Sequence, residues 1–181
     1  MNDKKYELLP AETSGPHTGL HRIRALRDIP RHYVLKGDLG GYVSSEANLS
    51  QLDSAWVADS ARVTGSALVT DSARVTDLAR VTDSAWVTGS ARVTGSARVS
   101  KPVHTFAITG PTPECDSASI CRLGDGTEWV HCGCWEGTIE QLRELAHSDE
   151  WPSGRDAEYR ETYRPSLLAV ADLFEARKAL W

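Results

Sequence analysis

Val69-Thr70-Asp71-Ser72-Ala73-Arg74-Val75-Thr76-Asp77-Leu78-Ala79-Arg80-Val81-Thr82-Asp83-Ser84-Ala85-Trp86-Val87 decides the fold of this chain. Valine returns every six residues, and alanine returns four positions after each valine. The period runs outward through Val57 and Val63 on one side and Val93 and Val99 on the other, with Ala61, Ala67, Ala91 and Ala97 in step. An amphipathic helix needs apolar residues three and four apart, so this spacing excludes one. Valine, stiff at χ1, suits a strand, and alanine is small enough for a tight bend. Between them, Asp or Gly tolerates the left-handed backbone of a turn. Three units give a triangular coil of eighteen residues, with equivalent side chains stacked along each face. Val43 and Leu49 carry the register backwards across a two-residue insertion at Gln51 to Asp53, giving ten repeats, a little over three coils, over 43–100.

The unit Val-Thr-(Asp/Gly)-Ser-Ala-(Arg/Leu/Trp) resembles the hexapeptide repeat of left-handed β-helix proteins. The left hand comes from that resemblance, because crossover chirality alone favours the right. The resemblance also implies assembly as a homotrimer. Upstream, Arg22-Ile23-Arg24-Ala25-Leu26 followed by Gly37-Asp38-Leu39-Gly40-Gly41 is similar to the N-terminus of hexapeptide proteins encoded by bacteriophages and prophages. Downstream, Cys132-Gly133-Cys134-Trp135-Glu136-Gly137-Thr138, with Tyr163-Arg164, resembles the tail domain of those proteins.

The fold class expected is mainly β: a short left-handed parallel β-helix with an N-terminal cap and a small C-terminal α+β domain. Residues 1–42 form the lead-in and cap, 43–100 the β-helix, and 103–181 the α+β domain. A solenoid this short needs its end strands covered. Lys101-Pro102 ends the repeat, and Val103 to Gly110 alternates like a strand. Ser117 to Leu123 and Thr127 to Cys132 flank Gly124-Asp125-Gly126, a hairpin signal. Thr138 and Gln141 form a capping box, opening a helix with Ile139, Leu142 and Leu145 as its apolar stripe. A last helix is predicted from near Pro165, burying Leu168, Leu173 and Phe174.

Charge narrows the function classes. The chain has 181 residues and a net charge of −5, with +2 over 1–42, −1 over 43–100 and −6 over 101–181. Without a strongly basic domain, a general nucleic-acid binder is disfavoured. No apolar run approaches the ~18 residues of a membrane span, and Met1-Asn2-Asp3-Lys4-Lys5 lacks a signal peptide's apolar core. The expected location is the cytoplasm of a bacterial host, away from membranes. Cys115, Cys121, Cys132 and Cys134 are spaced unlike structural zinc ligands and are read as reduced thiols. A redox pair of Cys132 and Cys134, sharing a strand face, stays open. No metal or cofactor is expected.

Residues eighteen apart share a face, which sorts the outward positions into columns: Arg62, Arg80 and Arg98; Trp56, Arg74 and Arg92; Leu68 and Trp86, with His104 next in step. Stacked guanidinium groups ~5 Å apart repel one another unless anions intervene. Asp59, Asp71, Asp77 and Asp83 could neutralise them, leaving a solvated, charge-balanced ladder. The other reading is a phosphate site, since arginine's planar fork suits phosphate and an indole can stack on a base. The candidate ligand-binding residues are therefore Arg62, Arg80, Arg98, Arg74, Arg92, Trp56 and Trp86. The Leu68/Trp86 face is expected to be covered by the C-terminal module or another subunit.

Three function classes follow. The leading one is a non-catalytic oligomeric binding module, a phage protein sequestering a phosphorylated small molecule such as a host defence signalling nucleotide. The second is an acyltransferase relative, as the resemblance suggests, using His21, His32 or His104 as general base. The third is a structural or protein-interaction scaffold. The coils hold no histidine and no long loop, which weighs against catalysis there.

Overall fold

In the computed structural model, residues 4–148 and 156–181 are described. Strands β1 (Tyr6–Ala11), β2 (His21–Ala25) and β3 (Leu39–Val43) lead in antiparallel fashion to the repeat. Eight two-residue strands follow: β4 (Trp56–Val57), β5 (Arg62–Val63), β6 (Leu68–Val69), β7 (Arg74–Val75), β8 (Arg80–Val81), β9 (Trp86–Val87), β10 (Arg92–Val93) and β11 (Arg98–Val99). They pair in parallel as three faces, β3-β5-β8-β11, β4-β7-β10 and β6-β9. The result is a parallel β-solenoid of about three turns.

Its physics follows the six-residue unit. The repeat valines and alanines fill the interior, all at most 1 % exposed. Asp59, Asp71, Asp77 and Asp83 take φ of 55–62°, a region that Asp tolerates better than most residues. Three of the carboxylates are tied to backbone in the neighbouring coil. Asp77 Oδ2 accepts from Gly95 N at 2.9 Å, Asp71 Oδ2 from Gly89 N at 2.9 Å, and Asp59 Oδ2 from Asp77 N at 3.3 Å. Among the described residues no ion pair joins these aspartates to the arginines, although Asp59 and Asp77 line one cavity with Arg74 and Arg92.

The insertion at Gln51 to Asp53 has a purpose. Leu49 bridges to Val69 while Val57 pairs with Val75, so two extra residues are looped out on the first coil. There Gln51 Oε1 accepts from the backbone amides of Lys5 and Tyr6 at 2.9 and 3.2 Å. The fully buried Lys5 ammonium donates to Ala55 O at 2.7 Å and lies 3.4 Å from Asp53. These bonds dock the N-terminal hairpin on the coil. Gly40 and Gly41 allow the same approach, since a Cβ on Gly41 would lie 2.7 Å from Ala61 O.

Beyond the 3-10 turn Pro102–His104 comes an antiparallel sheet of β12 (Thr105–Thr112), β13 (Cys115–Arg122), β14 (Glu128–Cys132) and β15 (Trp135–Gly137), in that order. Helices α1 (Ile139–His147) and α2 (Ala157–Lys178) follow. Both faces of this sheet are used. Ala118, Ile120, Val130 and Cys132 join the helical core, whereas Cys121, Leu123 and Trp129 pack on the solenoid.

Several expectations change here. The Thr138–Gln141 capping box forms, but α2 starts at Ala157, with Asp156 as its cap, and runs through Pro165. Proline disfavours helix in the preceding residue; packing against α1, including Arg164 Nε donating to Ala146 O at 2.9 Å, holds the helix there. Phe174 is buried and Leu168 partly so, but Leu173 is 39 % exposed, and Leu167, Val170 and Ala171 take the inner face. Cys115 and Cys132 are joined as a disulfide with Cα atoms 5.5 Å apart, in place of two reduced thiols. Cys121 and Cys134 are free. Gly133, at φ 60°, turns the chain after β14, so Cys134 sits exposed beyond that strand and shares no face with Cys132. No described helix is long and apolar enough to cross a membrane.

Candidate anion-binding groove

The columns expected from the eighteen-residue step are present as strand register. Arg62 pairs with Arg80 and Arg80 with Arg98; Trp56 pairs with Arg74 and Arg74 with Arg92; Leu68 pairs with Trp86. Their surroundings differ. Arg80 and Arg98 are exposed, bordered by the Gly124–Asp125 turn in a shallow cavity. Tyr42 heads that column, paired with Arg62 and stacked on His17 at 3.7 Å. Trp56 is 1 % exposed and belongs to the main core, so its indole has no free face for a base. Trp86 is 58 % exposed, so the C-terminal module leaves it uncovered in the single chain. His104 does not extend the third column, being buried with Nδ1 accepting from Ser100 N at 3.2 Å.

Arg74 and Arg92 lie in a groove with a wall on each side. The turn Pro30–His32 borders it on one side and β13–β15 on the other. Two cavities meet at these arginines. The larger, about 490 Å³, has Trp129, His131 and Glu136 in its wall; the smaller, about 220 Å³, has Arg31, His32, Ser72 and Ser90. Arg92 Nη1 donates to Gly133 O at 3.1 Å. Arg74 is half-buried, its Nε is buried, and that Nε has no hydrogen-bond partner among the described residues. A buried donor without a partner costs free energy that a bound anion would recover.

Two histidines line the groove, and both are held neutral. Burial, with the nearby Arg74, Arg31, Lys5 and Arg92 charges, pushes His32 down to about 4. Burial, then the charge of Arg92, pushes His131 down to about 4, with Asp77 acting weakly the other way. His131 Nδ1 lies 3.4 Å from Glu136 Oε2, and Nε2 lies 3.1 Å from Thr94 Oγ1. With its proton on Nδ1, facing the carboxylate, the ring accepts the threonine hydroxyl at Nε2.

His131, Trp129, Thr94 and Glu136 were absent from the sequence-derived site. A signal existed. Trp129 and His131 alternate with Val130 and Cys132 along β14, and a strand apolar on one face still places its other face somewhere. That this face meets the arginine column depends on how two modules dock. Of the histidines proposed as general bases, only His32 borders the groove; His21 Nδ1 is engaged with Leu9 O at 2.8 Å. No family model matches this chain, and no curated protein matches it either.

Proposed function

We propose that the protein is a non-catalytic binding module whose groove over Arg74 and Arg92 holds a phosphate-bearing small molecule of the nucleotide class. One observation carries the reading: a half-buried arginine whose Nε has no partner among the described residues, in register with a second arginine in a groove between two modules. Arginine forks match phosphate oxygens bidentately, and the larger cavity falls within the range of about 300–1,000 Å³ used by small-molecule sites. The same proposal takes the coil as left-handed, residues 1–42 as its cap, and the chain as a bacteriophage-type protein sequestering a host signalling nucleotide in the bacterial cytoplasm. It also takes the assembly as a homotrimer, for which the exposed Trp86 beside Leu68 offers an apolar contact.

Calorimetric titration with linear and cyclic ribonucleotides tests the binding. Arg74→Ala is expected to weaken the best ligand about a hundredfold, from two lost charge-assisted bonds, while Arg80→Ala leaves it within about twofold. Equal losses in the two variants would end the groove assignment. Native mass of the full chain tests the trimer.

A second reading, an acyltransferase relative, draws on the Thr94–His131–Glu136 alignment, in which a neutral imidazole is oriented by a carboxylate and touches a hydroxyl. Acyl transfer from acyl-coenzyme A that disappears in His131→Gln would favour it over sequestration.

A further inference from the structure

We propose that the smaller cavity is a phosphoryl subsite, built to take a di- or triphosphate end, while the larger cavity receives the uncharged body of the same ligand. This rests on the reading that the groove binds a phosphate-bearing small molecule, and it assigns the ligand a direction.

Charge separates the two cavities. Arg31, Arg74 and Arg92 line the smaller one against the single carboxylate of Asp116, a formal balance of +2. The larger shares Arg74 and Arg92 but faces them with Asp59, Asp77 and Glu136, a balance of −1. A polyanion placed wholly in the larger cavity would meet three carboxylates at close range. Placed in the smaller one, it meets three forked cations. Size agrees: at about 220 Å³ the smaller cavity falls below the range of about 300 Å³ and up for drug-sized ligands.

Donors agree as well. Ser72 and Ser90 are half-buried beside Arg74 and Arg92 and line the cavity. His32 is 8 % exposed, and its Nε2 is buried without a partner among the described residues. A neutral imidazole carrying its proton on Nε2 is a donor that adds no further charge to a crowded cationic cluster. Arg74, whose Nε is the orphan donor, lines both cavities. On the other side, carboxylates suit ribose hydroxyls or exocyclic amines, and Trp129 with Leu123 supplies apolar wall.

The test uses pyrophosphate and ribonucleoside diphosphates, titrated calorimetrically into the full chain at low salt. Pyrophosphate is expected to bind, and Arg31→Gln, a change at an exposed residue, to weaken it about tenfold or more. His32→Gln should weaken it by a smaller factor, and Arg80→Gln, outside the groove, should leave it within about twofold. Wild-type protein that binds no pyrophosphate overturns the subsite, as does Arg31→Gln binding it as tightly as wild type. Nucleotide binding that needs Arg74 but ignores Arg31 and His32 overturns the subsite while keeping the broader reading. Arg31-dependent pyrophosphate binding, with no nucleoside diphosphate tighter than pyrophosphate, supports the subsite and removes the nucleotide reading.

Discussion

Two arginine columns rise from the same solenoid, one six-residue repeat apart, and they end in different chemistry. Arg62, Arg80 and Arg98 stack on a face whose later members are open to solvent. Arg74 and Arg92 stack with the same register but lie between the N-terminal turn and the C-terminal sheet. In water, an unpaired guanidinium is well solvated, and salt screens its repulsion from the next. Partly enclosed, the same group loses solvation and gains neighbours of its own sign. The comparison teaches that a repeat makes ladders cheaply, and that the modules at its ends decide which ladder becomes a site.

Acid should break the enclosed side first. His32 and His131, one on each wall, have values near 4 against an ordinary ~6.5. Protonation therefore favours the unfolded chain. Their contribution is complete above pH ~6.5 and falls by about 1.4 kcal/mol per histidine for each pH unit down to about 4. Urea denaturation across that window should give a steep profile in wild type and one shallower by two protons in the His32→Gln/His131→Gln double variant. Parallel profiles would mean that neither wall is as dry as the structure has it.

The corner between the columns is a smaller target. Asp77 holds φ 62° and accepts from Gly95 N at 2.9 Å and Thr76 Oγ1 at 3.0 Å. Asp77→Ala loses these bonds and places alanine in a left-handed backbone, an expected cost of about 2 kcal/mol. Asp77→Asn, which tolerates the conformation, should cost less. Equal unfolding midpoints for the two variants would show that the backbone conformation contributes nothing.

The smallest effect has the more informative sign. Arg74→Met should raise the stability of the ligand-free protein by up to about 1 kcal/mol, because it removes a desolvated, unpartnered donor. Arg80→Met should stay within about 0.5 kcal/mol of wild type. A drop in melting temperature for Arg74→Met would reveal an intramolecular partner for that guanidinium and weaken the case for a ligand.

Much of the solenoid was legible because its interior is written locally. Each valine, alanine and turn residue is placed by neighbours within one repeat, so the period of six settled faces, register and the two-residue insertion together. Helix α2 was read less well, since Pro165 is a strong local signal that contacts with α1 outweigh. The aspartates were legible as turn residues, but their partners in the neighbouring coil became visible only once the coils were stacked.

Sequence alone therefore determined the coil, the stacked columns and the left-handed turn positions, all consequences of short-range sterics repeated at a fixed step. Tertiary structure decided which column is enclosed. That choice depends on Gln51 and Lys5 docking the first hairpin, and on β14 turning Trp129 and His131 toward Arg74 and Arg92. Those contacts join residues tens of positions apart through desolvation and packing, which no repeat encodes.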